Sequence, residues 1–387
     1  MSWSESLESM CHEFFHIEQL RRFLGLFWAF WNPNWPAVHQ ATFDVSSTSP
    51  SLVAAMAILG ASLSSDSRDR AMAHLWFNPT ELLVFDDQLF SQTATIDWNR
   101  IESKPVRKSH LETLQAAYCV VLYQTWEGSK ESKRRVRRIR YSAIISLARD
   151  IGFSSASLSM VQTSSITGFD WNEYILRESL IRVFHYIFAL DSAFAMFNRH
   201  PPRTVDSELV MDLASPEACF RAQSAEECFV ALKVWRDGLV DCKITTVSTA
   251  ITAICSGHIP PSGIKLFERL SVLNMFTLVS VLYSMSFRLE TSIIYDEVVT
   301  RIQAGLDNWK ELWPSPTRDE ELMSYRTIFD DSEAFVGFMR YAPEYWLFTR
   351  LTLEGTKNST MEERSSVARC EDTDMAHLKH LLRSFAI

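Results

Sequence analysis

The chain has 387 residues, 47% of them hydrophobic, and a formal net charge of −9. Its 11 glycines and 13 prolines are too few for a β-rich protein that must turn every ten residues or so, and its acidity argues against the body of the chain neutralising nucleic-acid phosphates. The seven cysteines contain no C-x-x-C pair, which excludes the usual zinc modules and fits a reduced compartment where cysteines act as small apolar residues.

Glu5, Glu8, His12 and Glu13 lie among the first apolar residues, a pattern foreign to a signal peptide. Leu7, Cys11, Phe14, Leu24, Phe27 and Trp31 predict a helix over 7–31, stopped by Pro33 and Pro36. Ser49 as cap and Pro50 at the first helical position open a second, with Leu52, Met56, Leu59 and Leu63 on one side. Leu111 to Leu122 mark a third, ended near Gly128. A fourth, over 133–151, places Val136, Ile139, Ala143, Leu147 and Ile151 on one face. A Ser/Thr-rich loop, 154–168, is the candidate subdomain boundary within what otherwise reads as a single domain over 1–387. The strongest pattern follows: Leu176, Leu180, Val183, Ile187, Leu190, Phe194 and Phe197 predict a central helix ended by His200-Pro201-Pro202. Further helices are predicted around 221–237, 265–289, 293–312, 333–354 and 373–385. Leu270 to Phe287 carries no charge, yet Ser271, Asn274, Thr277, Ser280 and Ser284 line one face of it, as suits a helix packed inside protein rather than against lipid.

His12-Glu13-Phe14-Phe15-His16 matches H-E-x-x-H, in which two histidines hold zinc and the glutamate activates water. Gln19 and Arg22 stand where a metzincin needs Gly and His, and eleven residues are too few for the flanking sheet. His12 and His16 therefore read as a surface or groove-lining pair, with a zinc hydrolase as the competing reading. Asp86-Asp87 and Asp330-Asp331 fail D-D-x-x-D because Phe90 and Ala334 occupy the closing position. Between Lys130 and Arg140 lie seven basic residues, among them Lys133, Arg134, Arg135, Arg137, Arg138 and Arg140. They are either a solvated helix face or a nuclear-import patch. Asp191, inside the most apolar helix, is expected to be structural, held by an arginine or by backbone N–H groups. No catalytic set and no cofactor motif assembles.

Several stretches resemble one family. Trp35-Pro36-Ala37-Val38-His39-Gln40-Ala41-Thr42-Phe43 resembles F-P-I-L-H-R-P-T-F, and Ser49 to Ala61 resembles a helix of the form S-P-L-L-L-L-A-M-x-A-L-G-A. Leu114-Gln115-Ala116, Leu147 to Phe153, Trp171 to Phe229, Tyr341 to Trp346 and Asp372 to Met375 continue the series in order. Together they are similar to the fungal-specific transcription factor domain, the regulatory part of fungal zinc-finger transcription factors. Gln40-Ala41 and Cys219-Phe220 depart from the family's usual Arg-Pro and Leu-Trp.

The resemblance implies an all-α regulatory domain with an aromatic-rich core, in the nucleus, serving a metabolic or secondary-metabolite gene set. It implies transcription-related proteins or a zinc-finger regulator as partners, with DNA reached only indirectly or through a missing N-terminal module. No membrane association is expected, and a homodimer is among the expected states. The alternative is an accessory protein that lacks DNA binding and pairs with a full-length regulator.

Overall fold

A computed structural model describes residues 4–92, 96–239, 242–290, 296–313 and 338–358. The expected helix at 373–385, the Asp330-Asp331 pair, Cys370 and the segment Asp372 to Met375 lie outside the described residues. The all-α expectation holds: among the described residues every regular element is helical, and the isolated bridge Asp212–Thr246 is the one β-type pairing. The chain divides into two compact units, Met1–Gly152 and Phe153–Ile387.

The first unit holds α1 (Glu5–Phe14), α2 (Ile17–Leu26), a π turn (Phe27–Trp31), α3 (Pro50–Ser62), α4 (Ser67–Phe85), α5 (Lys104–Glu127), α6 (Lys130–Arg135), a second π turn (Val136–Arg140) and α7 (Tyr141–Ile151). Helix α3 is its centre and packs on α2, α4 and α5. Residues Leu52 to Ala61 are buried on every side, as an all-round apolar helix must be. Small residues let its neighbours approach: a Cβ at Gly60 would collide with the Phe23 carbonyl. Ser49 caps α3 and Pro50 opens it, as the sequence predicts. Trp35 stacks on Tyr118 of α5 at 5.2 Å between centroids, and Gln115 Nε2 donates to the Ala37 carbonyl at 2.7 Å.

Three features of this unit differ from expectation. The helix predicted over 7–31 breaks at Phe15–His16, where Phe14 meets Phe23 at 4.9 Å and Phe15 meets Trp76 at 5.6 Å. Helix α4 has no predicted counterpart. Ile139 is 60% exposed rather than on the core face, because the π turn inserts an extra residue and re-aims the stripe from Val136 to Tyr141, Ile144, Ile145 and Ala148.

The second unit holds α8 (Trp171–Asn198), α9 (Glu217–Phe220), α10 (Ala225–Asp237), α11 (Val247–Ile254), α12 (Pro261–Phe267), α13 (Val272–Glu290), α14 (Asp296–Leu312) and α15 (Ala342–Asn358). Helices α8 and α13 pair at the centre, and α13 also receives α11, α14 and α15. Both central helices are long and apolar enough to cross a membrane, and 89% of each apolar window is buried inside the protein. Asp170 caps α8, and Arg199 ends it in the left-handed conformation at φ 56° before His200-Pro201-Pro202. The single helix predicted over 265–289 is two, parted between Phe267 and Val272.

Candidate functional site

The polar groups of the second unit converge on one non-helical segment, Met211 to Ser215. Backbone partners satisfy only part of it, the Asp212 and Leu213 N–H groups donating to the Ala156 and Thr245 carbonyls at 2.9 Å and the Met211 carbonyl accepting from the Val247 N–H at 3.0 Å, so side chains must satisfy the rest. One stripe of α8 supplies them at helical spacing: Tyr174, Glu178, Arg182 and His185. The Tyr174 hydroxyl lies 2.7 Å from Ser215 Oγ, and Glu178 Oε1 accepts from the Ser215 N–H at 3.0 Å. Arg182 Nη2 donates to the Ser215 carbonyl at 3.0 Å, and His185 Nε2 to the Asp212 carbonyl at 3.0 Å. From the other side Asn274 of α13 holds Ala214 by both its N–H, at 2.9 Å, and its C=O, at 2.8 Å. Thr277 meets His185 Nδ1 at 2.8 Å. The Asn274–Thr277 part of the predicted polar face thus grips this segment and the α8 stripe.

Electrostatics within the stripe are uneven. Arg182, fully buried, pairs with both Glu178 at 2.8 Å and Glu217 at 2.6 Å, while its guanidinium sits 4.1 Å from the Phe220 ring centroid. Burial pushes the Glu178 carboxyl up to about 7, and Arg182 opposes the shift only in part. Glu217 also meets Arg221 Nε at 3.3 Å. Burial also lowers His185 to about 4, so its imidazole is neutral near pH 7. A carbonyl can only accept, which places a ring proton on Nε2, while Nδ1 faces the Thr277 hydroxyl, which itself donates to the Leu273 carbonyl at 2.9 Å.

Beside this segment, within the same unit, a half-open cavity of about 380 Å³ is lined by Leu158, Asp212, Leu213, Trp235, Arg236 and Leu266, among others. Asp212 Oδ2 accepts from the Leu158 N–H at 2.7 Å and from Ser157 at 2.9 Å, and Arg236 donates to the Val161 and Leu158 carbonyls at 2.7 and 2.8 Å. These charged groups are already engaged in holding loop backbone.

The residues singled out by sequence are not brought together. Asp191, 1% exposed, accepts at Oδ2 from the Arg203 and Thr204 N–H groups at 2.7 and 2.8 Å and from the Thr204 hydroxyl at 2.7 Å, tying down the loop after α8. Burial raises its pKa, and the Thr204 and Arg203 donors counter the shift. His12 lies in α1 and His16 beyond its end as the cap of α2, so the helix break parts the two, and both are exposed. Among the described residues no group of three or more His, Cys, Asp or Glu side chains could hold a metal ion.

The basic strip is divided. Arg135 and Arg140 donate to buried Glu81 at 2.7 and 2.8 Å, and Gln124 donates to the same carboxylate at 2.9 Å. Burial alone would raise the Glu81 pKa, but the two arginines outweigh it and hold it below its usual range. Arg137 is buried, Lys133 is half-buried, and Arg134 and Arg138 face solvent. Sequence reasoning missed Glu81, Arg182 and His185. For Arg182 and His185 the signal available was their spacing from Glu178, at i+4 and i+7, in the most apolar helix.

A family model described as the fungal specific transcription factor domain matches residues 24–311. The chain is 38% identical to transcription factor verF of Penicillium polonicum over 359 residues, 91% of this chain and 49% of that protein. It is 21% identical to zinc finger protein zas1 of Schizosaccharomyces pombe over 217 residues, 55% of this chain and 22% of that protein. The chain thus spans about half the length of the first relative and about a fifth of the second. No solved structure gives a significant match.

Proposed function

We propose, from the premise that this chain belongs to the fungal specific transcription factor domain family, that it is the regulatory part of a transcription regulator and works in the nucleus through protein contacts. The observation that carries this is likeness to a transcription factor over 91% of the chain. The site geometry supports a scaffold in preference to an enzyme. Its buried ionisable groups are engaged in holding backbone, and the His12–His16 pair that suggested a hydrolase is split between two helices. On this reading, DNA is read by a zinc module in a partner protein or elsewhere in the polypeptide, since the cysteines here contain no C-x-x-C pair. A metabolic or secondary-metabolite gene set is the target that the resemblance suggests.

The test is a tethering assay. The chain is fused to an unrelated DNA-binding module in a fungal host, with that module's site placed upstream of a reporter. Reporter output is expected to change, up or down, relative to the module alone. Output equal to that of the bare module, with the fusion present at normal abundance, overturns the reading.

A further inference from the structure

Helix α4 turns one face to the core and an ordered apolar seam to solvent. Ala73, Trp76, Phe77, Thr80, Glu81 and Val84 are buried, and the helix packs on α3 and α5. On the other face Arg68, Met72, Leu75, Pro79, Leu82 and Asp86 recur at steps of four, three, four, three and four. That is the a/d spacing by which one helix pairs with another. Leu75, Leu82 and Leu83 are 42%, 63% and 53% exposed, high for leucines within about two turns of one another. Pro79 is tolerated within the helix because it and Leu75, whose carbonyl it leaves without an N–H, lie on the wet side.

The seam is a palindrome. When two copies of α4 are laid antiparallel about a two-fold axis, Leu75 faces Pro79 of the second copy and Met72 faces its Leu82. Beside the seam, small Ala71 faces bulky Leu83. At the ends Arg68 faces Asp86 of the second copy, twice by symmetry. Both side chains are exposed, and neither makes an ion pair within the chain among the described residues. A parallel pairing would instead set Arg68 against Arg68 and Asp86 against Asp86. An isologous two-fold interface requires self-complementarity of this kind, whereas an unrelated partner has no need of it.

We propose that α4 is the interface of an antiparallel homodimer of this chain, with Leu75 and Pro79 at its centre, Met72 and Leu82 flanking them, Leu83 beside the seam and reciprocal Arg68–Asp86 pairs at its ends. The proposal rests on the seam and not on the transcriptional reading. A single pair of helices lies at the small end of specific interfaces, below about 1,200 Å², where transient association is the rule, so the dimer is reversible.

Sedimentation velocity across concentrations bracketing about 10⁻⁶ M should show the mass move from 44.5 kDa to about twice that value. Leu82→Glu, an exposed change that leaves the helical circular dichroism intact, should hold the chain monomeric. Arg68→Glu should weaken the dimer at least about tenfold by like-charge contact with Asp86, and Arg68→Glu combined with Asp86→Arg should restore it. Three results each overturn the proposal. A chain that stays monomeric throughout leaves the seam to a partner of another sequence, a dimer indifferent to Leu82→Glu uses another surface, and a double swap that fails to rescue denies the antiparallel register.

Discussion

Glu178 and His185 lie seven residues apart on one face of α8, and burial shifts their protonation in opposite senses for stability. Glu178 rises to about 7 in the fold, so the folded state holds its proton more tightly than the unfolded chain does. Its contribution is therefore largest at low pH and is lost as pH rises from the ordinary glutamate value towards 7. His185 is lowered to about 4, so its contribution is complete above the ordinary histidine value and is lost as pH falls towards 4. Between about pH 4.5 and 6.5 the two slopes offset each other. Glu178→Gln should unmask the histidine, giving an unfolding midpoint that climbs more steeply with pH across this window than in the unmodified chain. His185→Gln should do the reverse. Chemical denaturation at several pH values reads both, and two variants that keep the original slope would contradict the buried assignments.

The segment from Lys130 to Arg140 separates two roles that composition merges. Arg135 at the end of α6 and Arg140 at the end of the π turn both reach Glu81, while Arg134 and Arg138 lie towards solvent. Replacing Arg135 and Arg140 with Gln strips a buried carboxylate of its cations and should cost roughly 2 kcal/mol or more, read as a lower thermal midpoint. Replacing Arg134 and Arg138 with Gln should leave the midpoint alone. If the strip serves import, a fluorescently tagged chain with the second pair of changes becomes more cytoplasmic, and an unchanged distribution shows a face used only for solvation and folding. At this scale the missing expectation for α4 is also understandable. Its buried face includes Asp69 and Glu81, its exposed face carries three leucines, and Pro79 interrupts it, so the apolar periodicity is blurred until partners are known.

Across the whole molecule the formal balance is −9, and several arginines are tied to carboxylates rather than presented outward. Arg22 is spent on Asp69, Arg182 on Glu178 and Glu217, Arg199 on Glu290, and Arg135 and Arg140 on Glu81. Phosphate contacts need arginines and lysines that present their charge outward. The purified chain should therefore bind duplexes only weakly, with dissociation constants near 10⁻⁴ to 10⁻⁶ M, and without sequence preference. Titration against a duplex library at about 150 mM salt checks this, and selective binding tighter than roughly 10⁻⁷ M would reveal a reading surface on the chain itself.

What the sequence determined by itself was periodicity and punctuation. Ser49-Pro50 opens α3, the leucine and phenylalanine stripe makes α8 central, and the polar positions of α13 mark it as packed in protein, each through contacts within one or two helical turns. The family resemblance was likewise legible, because it rests on ordered local motifs. Where side chains from distant segments must choose a partner, only the tertiary structure decided. Asn274 and His185 are claimed by the Met211–Ser215 segment, Glu81 by arginines more than fifty residues away, and the register of Ile139 by a π turn that no residue type announces. A buried polar group has to be satisfied by whatever the fold brings within hydrogen-bond reach, and that proximity is a property of packing that no local pattern encodes.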